Sequence, residues 1–527
     1  MKYSIGQLID LPDELFLMIF KNLNNAALLY SLMNINTRLD RIISDPVFTR
    51  NLTLLRYFSN CLICPLADTV IDRFCLQILP QIHYKINWLN LESLSMERIL
   101  LAADYPNLHN LGLYNVDKKT AERVFADGSP VFHIFNKKIQ SLVITMIGNE
   151  TQTSKSDFVT SIFTIVLTVF NNLLYLNCDP FAESDLRRQS FYDKTPTFFS
   201  STLLELHINV ASLNECLYLL DGRLNQLHTF YVDIDFFTPP SKMIKDKKLL
   251  PNMRCFLLMS KSEIIFYNES IVELVQRMTN LEKLALYIAV EQRTFIDGNN
   301  LKNNIINHLP KLNKFIFNIR SFIHNCDSSD LLTSEEIQHT LTDLGDSQII
   351  YYFDYFFTER RAQCHFYSYP YTLKYYHNIT NSFSGGLFKC VREVSLFDDR
   401  PFEHEFFVRI AQAFPLLKKL SMINLTPQNQ KAKNNNEYLS IIEYPHLIEL
   451  DFLDVSDDYL EQFLVNTKTF LIDNICIYAY YESLKRVTNN FRRAATRFNS
   501  AKVNSLRIYG QFQLSKRLIK YFPNAKI

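Results

Sequence analysis

From Leu108 onward an apolar-x-x-apolar-x-apolar phrase returns thirteen times, beginning at residues 108, 139, 173, 203, 227, 253, 281, 312, 391, 417, 447, 472 and 503. Leu108-Leu111-Leu113, Leu281-Leu284-Leu286 and Leu417-Leu420-Met422 are clear instances. The closing letters of each phrase alternate, which predicts a short strand with two inward side chains. Most returns come after 24 to 34 residues, the length of a supersecondary unit. Proline stands two residues ahead of the phrase at Pro106, Pro251, Pro310, Pro415 and Pro445, far more often than 18 prolines in 527 residues would place it there. Between phrases the spacing turns helical, as at Ile271, Leu274, Val275 and Met278, or at Phe407, Ile410 and Phe414. Ser212-x-x-Glu215 has the form of a capping box ahead of Leu217 to Leu220.

The chain opens differently. Pro12 suits a first helical position, Asp13 and Glu14 place negative charge in the first turn, and Leu15, Ile19 and Leu23 recur every four residues beside Phe16 and Phe20. A second helical pattern runs from Ala26 to Ile43 and stops at Asp45-Pro46. Short helices with more apolar surface than one neighbour can cover predict a docking module. The segment resembles an F-box. Leu11-Pro12-Asp13-Glu14-Leu15, Ile19-Phe20-Lys21-Asn22-Leu23, Leu28 to Leu32, Arg38-Leu39 and Asp45-Pro46-Val47-Phe48 match that family's pattern in register. It departs at Leu39, where the family often has tryptophan or phenylalanine, and at Met33-Asn34-Ile35. The resemblance implies binding to the Skp-type adaptor of a cullin-RING ubiquitin ligase. Leu11, Pro12, Leu15, Ile19, Phe20, Leu23 and Leu32 would face that adaptor or support the interface.

The recurring phrase resembles that of leucine-rich repeats, although the asparagine or cysteine expected after the last leucine appears only irregularly, as at Asn115 or Asn424. The expected fold is therefore α/β: N-terminal all-α F-box helices over 5–52, a helical linker or cap over 53–105, and an irregular leucine-rich-repeat-like α/β solenoid over 106–527, degenerate at 319–390. The aromatic stretches Ile349–Phe357 and Cys364–Tyr369 read as two degenerate repeats inside the 79-residue gap between phrases. Polar insertions at 149–157, 291–300 and 427–437 read as surface loops.

Composition narrows the function. Fifty-five basic residues against 54 acidic ones give no global pull toward nucleic acid or an anionic membrane. No span of about 20 apolar residues is present, the first residues lack the features of a signal peptide, and ten scattered cysteines form no framework. A reducing cytoplasm or nucleus is the expectation. None of the ten glycines forms a Gly-x-Gly pair and none of the twelve histidines a His-x-x-x-His, which removes the usual dinucleotide fingerprint and helical zinc-protease site. Cys61-x-x-Cys64 with Cys75 and His83 has the letters of a zinc site, but Cys75 stands among Phe74, Leu76, Ile78 and Leu79 as a core residue would. Glu403-His404-Glu405 reads as a solvated helix start. The clusters Lys242, Lys245, Lys247, Lys248 and Arg486, Arg492, Arg493, Arg497 read as solvated faces. No catalytic residue, metal or cofactor is therefore expected.

The seventh letter of the phrase should reach the open face of the sheet, where Tyr114, Tyr287, Phe397, Tyr478 and Tyr509 stand as candidates for binding a protein target. The expected function is the substrate-recognition subunit of an SCF-type ubiquitin ligase, non-catalytic itself, joining adaptor and cullin to an unidentified protein substrate. The alternative is an interaction scaffold without degradative output.

Overall fold

The computed structural model describes residues 11–57, 63–126, 128–132, 134, 138–146, 163–178, 198–237, 248–326, 334–342, 348–429 and 440–527. The chain divides into two compact units, Met1–Ala289 with Asn303–Phe315, and Val290–Lys302 with Ile316–Ile527.

Four short helices come first: α1 (Asp13–Phe20), α2 (Asn25–Leu32), α3 (Thr37–Ile43) and α4 (Pro46–Thr49). Each start after the first is capped by a side chain: Asn24 accepts from the Ala27 N–H, Asn36 from the Leu39 N–H, and Asp45 from the Val47 N–H. Strands follow as β1 (Asn51–Leu54), β2 (Trp88–Glu92), β3 (Asn110–Val116), β4 (Ser141–Met146), β5 (Tyr175–Asn177), β6 (Glu205–Ser212), β7 (Thr229–Phe236), β8 (Cys255–Ile264), β9 (Lys283–Glu291), β10 (Lys314–His324), β11 (Ile349–Phe356) and β12 (Arg361–Ser368). These twelve form one sheet, in chain order as far as β10 and then β12 before β11. Pairs from β1 through β8 are parallel, whereas β12 is antiparallel to both β10 and β11. A second, six-stranded sheet holds β13 (Tyr375–Ile379), β14 (Glu393–Phe397), β15 (Lys419–Asn424), β16 (Glu449–Val455), β17 (Ile475–Tyr480) and β18 (Val503–Tyr509), parallel throughout and in chain order.

The proline marker has a direct cause. Pro106, Pro251, Pro310, Pro415 and Pro445 each occupy the second position of a β-turn closed by an N–H three residues beyond the turn's first carbonyl, as in Leu108 to Tyr105 and Leu417 to Phe414. Proline's fixed φ suits that position. The turn sets the apolar letters of the phrase inward: Leu111, Leu113, Leu206, Ile208, Phe230 and Val232 are all buried. In the second unit the core is strongly aromatic, with Tyr376, Phe383, Phe388 and Phe414 in mutual ring contact.

The architecture departs from the expected organisation. The chain is α/β, but instead of an all-α F-box followed by one leucine-rich-repeat-like solenoid it is dominated by a large, mostly parallel sheet with helices scattered along the chain. Strands β8 and β10 run 10 and 11 residues, longer than a two-residue inward strand allows. The stretches read as two degenerate repeats are β11 and β12, an antiparallel pair. The four residues between them can join strands only in that sense, since parallel neighbours need a long crossover. The segment read as a helical linker contains the sheet strand β2, and the supposed loop 291–300 begins a helix at Gly298–Asn304. The insertion 149–157 and residues 430–437 of the third lie outside the described residues, as do Cys61, Lys242, Lys245 and Lys247.

Candidate protein-docking surfaces

Helix α1 turns two faces in different directions. Phe16 and Phe20 are buried against each other, and Phe20 meets Phe48 edge-on at 6.3 Å. On the other side of the helix Leu15, Met18 and Ile19 are exposed by 43, 66 and 44%, and Leu23, in the turn that follows, by 51%. The spacing of three and four residues stacks the first three into one ridge, which Leu23 extends past the helix end. Ile35 and Val47 are also more than half exposed, while Leu29, Leu39, Ile42 and Ile43 fill the interior of the helical group. Ionic contacts fix the orientation of α1: Arg38 Nε donates to Asp13 Oδ1 and Arg41 Nη2 to Asp13 Oδ2, each at 2.8 Å. The Arg38 guanidinium, with Arg41 behind it, holds the Asp13 carboxyl below the usual carboxylate range.

Of the residues expected to meet an adaptor, Leu15, Ile19 and Leu23 lie on the exposed ridge, Pro12 is exposed, and Leu11 and Leu32 are half-buried. Phe20 faces inward and supports the ridge from behind. Leu39, the departure from the family's bulky aromatic, is also an interior residue.

The second surface is the outward side of the parallel strands in the first unit. Strand register aligns Trp88, Asn110, Ser141, Tyr175, Glu205, Thr229 and Cys255 in one row. Asn90, Gly112, Val143, Asn177, His207, Tyr231 and Leu257 form the next. His207 Nε2 bonds Glu205 Oε1 at 2.6 Å, and its ring lies 5.3 Å from Tyr175 and 4.2 Å from Tyr231, the latter edge-on. Burial lowers the His207 pKa and Glu205 opposes that shift. Gly112 is needed in its row because a Cβ there would lie 2.1 Å from Asn90 Oδ1, whose oxygen accepts from Trp88 Nε1 at 2.8 Å.

Among the residues expected to bind a target, the structure separates covered from open. Tyr114 has the outward parity but is buried with Leu55, which follows β1, and Ile63, which belongs to the short antiparallel pair Arg56–Tyr57 and Ile63–Cys64. Tyr287 is buried as well, so neither presents its ring to a partner. Phe397 is half-buried with its ring 4.9 Å from Phe356, Tyr478 is half-buried, and Tyr509 is 45% exposed beside Tyr480. Trp88, Tyr175, His207 and Tyr231 were missed. They occupy the third and fifth letters of their phrases or the strand before the first phrase, and only register between strands gathers them.

Other candidates resolve into structure. Cys75 Sγ donates to the Arg98 carbonyl and the His83 ring bonds the Asp104 carbonyl. His404, expected on a solvated helix start, is instead buried and bonds the Ser440 carbonyl at 3.0 Å.

No protein-family model matches the chain, and no curated protein matches its sequence. Among solved structures the chain is similar to the crystal structure of the Rad7 and Elc1 complex in yeast, at 11% identity, over 95% of this chain and 88% of that one, with a TM-score of 0.26. A likeness that low carries no argument about fold or partner. No helix among the described residues is long and apolar enough to cross a membrane.

Proposed function

We propose that this protein is the substrate-recognition subunit of an SCF-type cullin-RING ubiquitin ligase, with α1–α4 holding the Skp-type adaptor and the outward sheet faces holding a protein target. The observation that carries the reading is the ridge Leu15, Met18, Ile19 and Leu23, left exposed on a helical group whose interior is otherwise closed. It coincides with the positions that the F-box resemblance assigns to the adaptor.

Covering the exposed half of four such side chains contributes roughly 3 to 6 kcal/mol. Association costs about 4 to 15 kcal/mol in lost freedom. The ridge therefore needs its flanks, Leu11, Pro12, Leu32, Ile35 and Val47, to reach useful affinity, and each ridge residue is individually important. In this reading the chain performs no chemistry. It brings target lysines near a ubiquitin-carrying enzyme through the adaptor and cullin.

The test is co-purification of the full chain with a Skp-type adaptor, repeated with Leu15→Asp. Retention by the native chain and loss in the variant is the expected result. Equal retention by both would overturn the assignment. The half-life of a captured target after depletion of this protein then separates ligase action from the scaffold alternative: a scaffold leaves the half-life unchanged.

A further inference from the structure

We propose that the last strand edge of the second unit is a docking surface for an acidic, extended polypeptide segment. This deepens the target-binding half of the reading above and rests on it for the identity of the partner as a protein.

The first observation is charge. Residues 483–527 contain eleven lysines and arginines and no aspartate or glutamate, so the preceding 482 residues hold 44 basic against 54 acidic residues. A near-neutral chain is thus strongly polarised along its length. Four of the eleven are matched: Lys485 by Glu482, Arg486 by Asp457, Arg493 by Glu461 and Lys502 by Asp473. The other seven, Arg507, Lys516, Arg517, Lys520 and Lys526 among them, are exposed and have no carboxylate partner among the described residues.

The second observation is the edge itself. Strand β18 ends its sheet, and among the described residues its outer side carries a single bridge, Ser505 to Lys526, in which the Lys526 N–H donates to the Asn504 carbonyl at 2.9 Å and the Leu506 N–H to the Lys526 carbonyl at 2.8 Å. Backbone groups alternate sides along a strand, so the Leu506 C=O and the Ile508 N–H and C=O also face outward, beyond that bridge. The edge continues into Gly510 at φ +91°, beside a groove of about 300 Å³ lined by Tyr480, Tyr509 and Gln511 together with Arg486 and one carboxylate, Glu482, which Lys485 pairs.

These features select one occupant. An open strand edge is matched by another polypeptide backbone, which adds as a further strand. Nucleic acid offers no such ladder. A second copy of this chain would set like charge against like charge, the device by which proteins discourage edge pairing. A segment carrying aspartate or glutamate satisfies both the ladder and the cations, with the exposed tyrosines receiving its apolar side chains.

The experiment uses the full chain and measures fluorescence anisotropy with a labelled alternating glutamate–valine octapeptide, its lysine–valine counterpart and oligothymidine. Binding of the acidic octapeptide alone is expected, weakened about tenfold by the combined Arg507→Glu, Lys516→Glu and Arg517→Glu changes. Ile508→Pro, which removes an outward N–H while keeping every charge, should weaken it about threefold, because proline is tolerated on an edge whose N–H faces solvent. Undiminished binding in the charge-reversed chain overturns the proposal, as does tighter binding of oligothymidine that the same reversals abolish. Unchanged affinity in a folded Ile508→Pro chain overturns the strand-addition geometry. Leu15→Asp should leave octapeptide binding intact, so loss of the adaptor assignment and loss of this one are distinguishable.

Discussion

The opening helices and the closing strand leave two different kinds of open surface, one apolar and one cationic. The α1 ridge offers uncharged apolar area whose attraction to a partner is short-ranged and nearly indifferent to salt. The β18 edge offers cations and unpaired backbone groups, which act at longer range and weaken as ions screen them. If both surfaces bind as proposed, the contrast teaches that one chain can divide its recognition into a part that fixes position and a part that gathers and selects.

Three changes test that division, the largest first, and a fourth probes the interior behind it. Phe48→Ala removes a fully buried ring that closes the helical group against Phe20. It should cost about 3 to 5 kcal/mol, seen as a lowered unfolding midpoint together with lost adaptor binding. Leu15→Asp should abolish adaptor capture, a loss of roughly a hundredfold or more, while leaving the midpoint nearly unchanged because the side chain is already half in water. A similar fall in midpoint for both variants would erase the distinction between the ridge and its support. Raising salt from low to physiological strength and beyond should weaken acidic-peptide binding about tenfold yet change adaptor affinity by less than about twofold. Equal salt slopes would mean the two surfaces work alike.

The smallest effect lies in the interior of the second unit. His365 is buried, bonds Asn318 at 3.1 Å, and Asn318 in turn donates to the Tyr371 hydroxyl at 2.8 Å. Burial, reinforced by Arg320, lowers its pKa from 6.5 to about 3. A folded-state value depressed in this way contributes stability that is present above the unfolded pKa and lost as pH falls from about 6.5 toward 3. His365→Gln keeps an N–H donor without the titration, so its acid-unfolding midpoint should move to lower pH by up to about one unit. Circular dichroism across that window checks it; a midpoint that stays in place would assign acid sensitivity to other groups.

Much of this was legible in the sequence because period is a local signal. The four-residue recurrence of Leu15, Ile19 and Leu23 separates an outer from an inner stripe without reference to anything distant, and each phrase after Leu108 lies on a strand. Alternation, however, is blind to direction: β11 and β12 alternate as parallel strands do, and only the short turn between them betrays the antiparallel pair. Parity is blind to cover as well. Tyr114 points outward and is hidden by Ile63, 51 residues earlier in the chain. Register is not local at all, so His207, Tyr175 and Tyr231 could be recognised as neighbours only once the strands were aligned.

The order of strands bears on how the chain is made. Synthesis proceeds from the N-terminus, and domains fold as units. From β1 to β10 each new strand has a sheet neighbour that has already been synthesised, and the same holds from β14 to β18. The exception is β11, which is synthesised before β12, the strand it pairs with. The hairpin is thus where the order of pairing in that sheet departs from the order of synthesis.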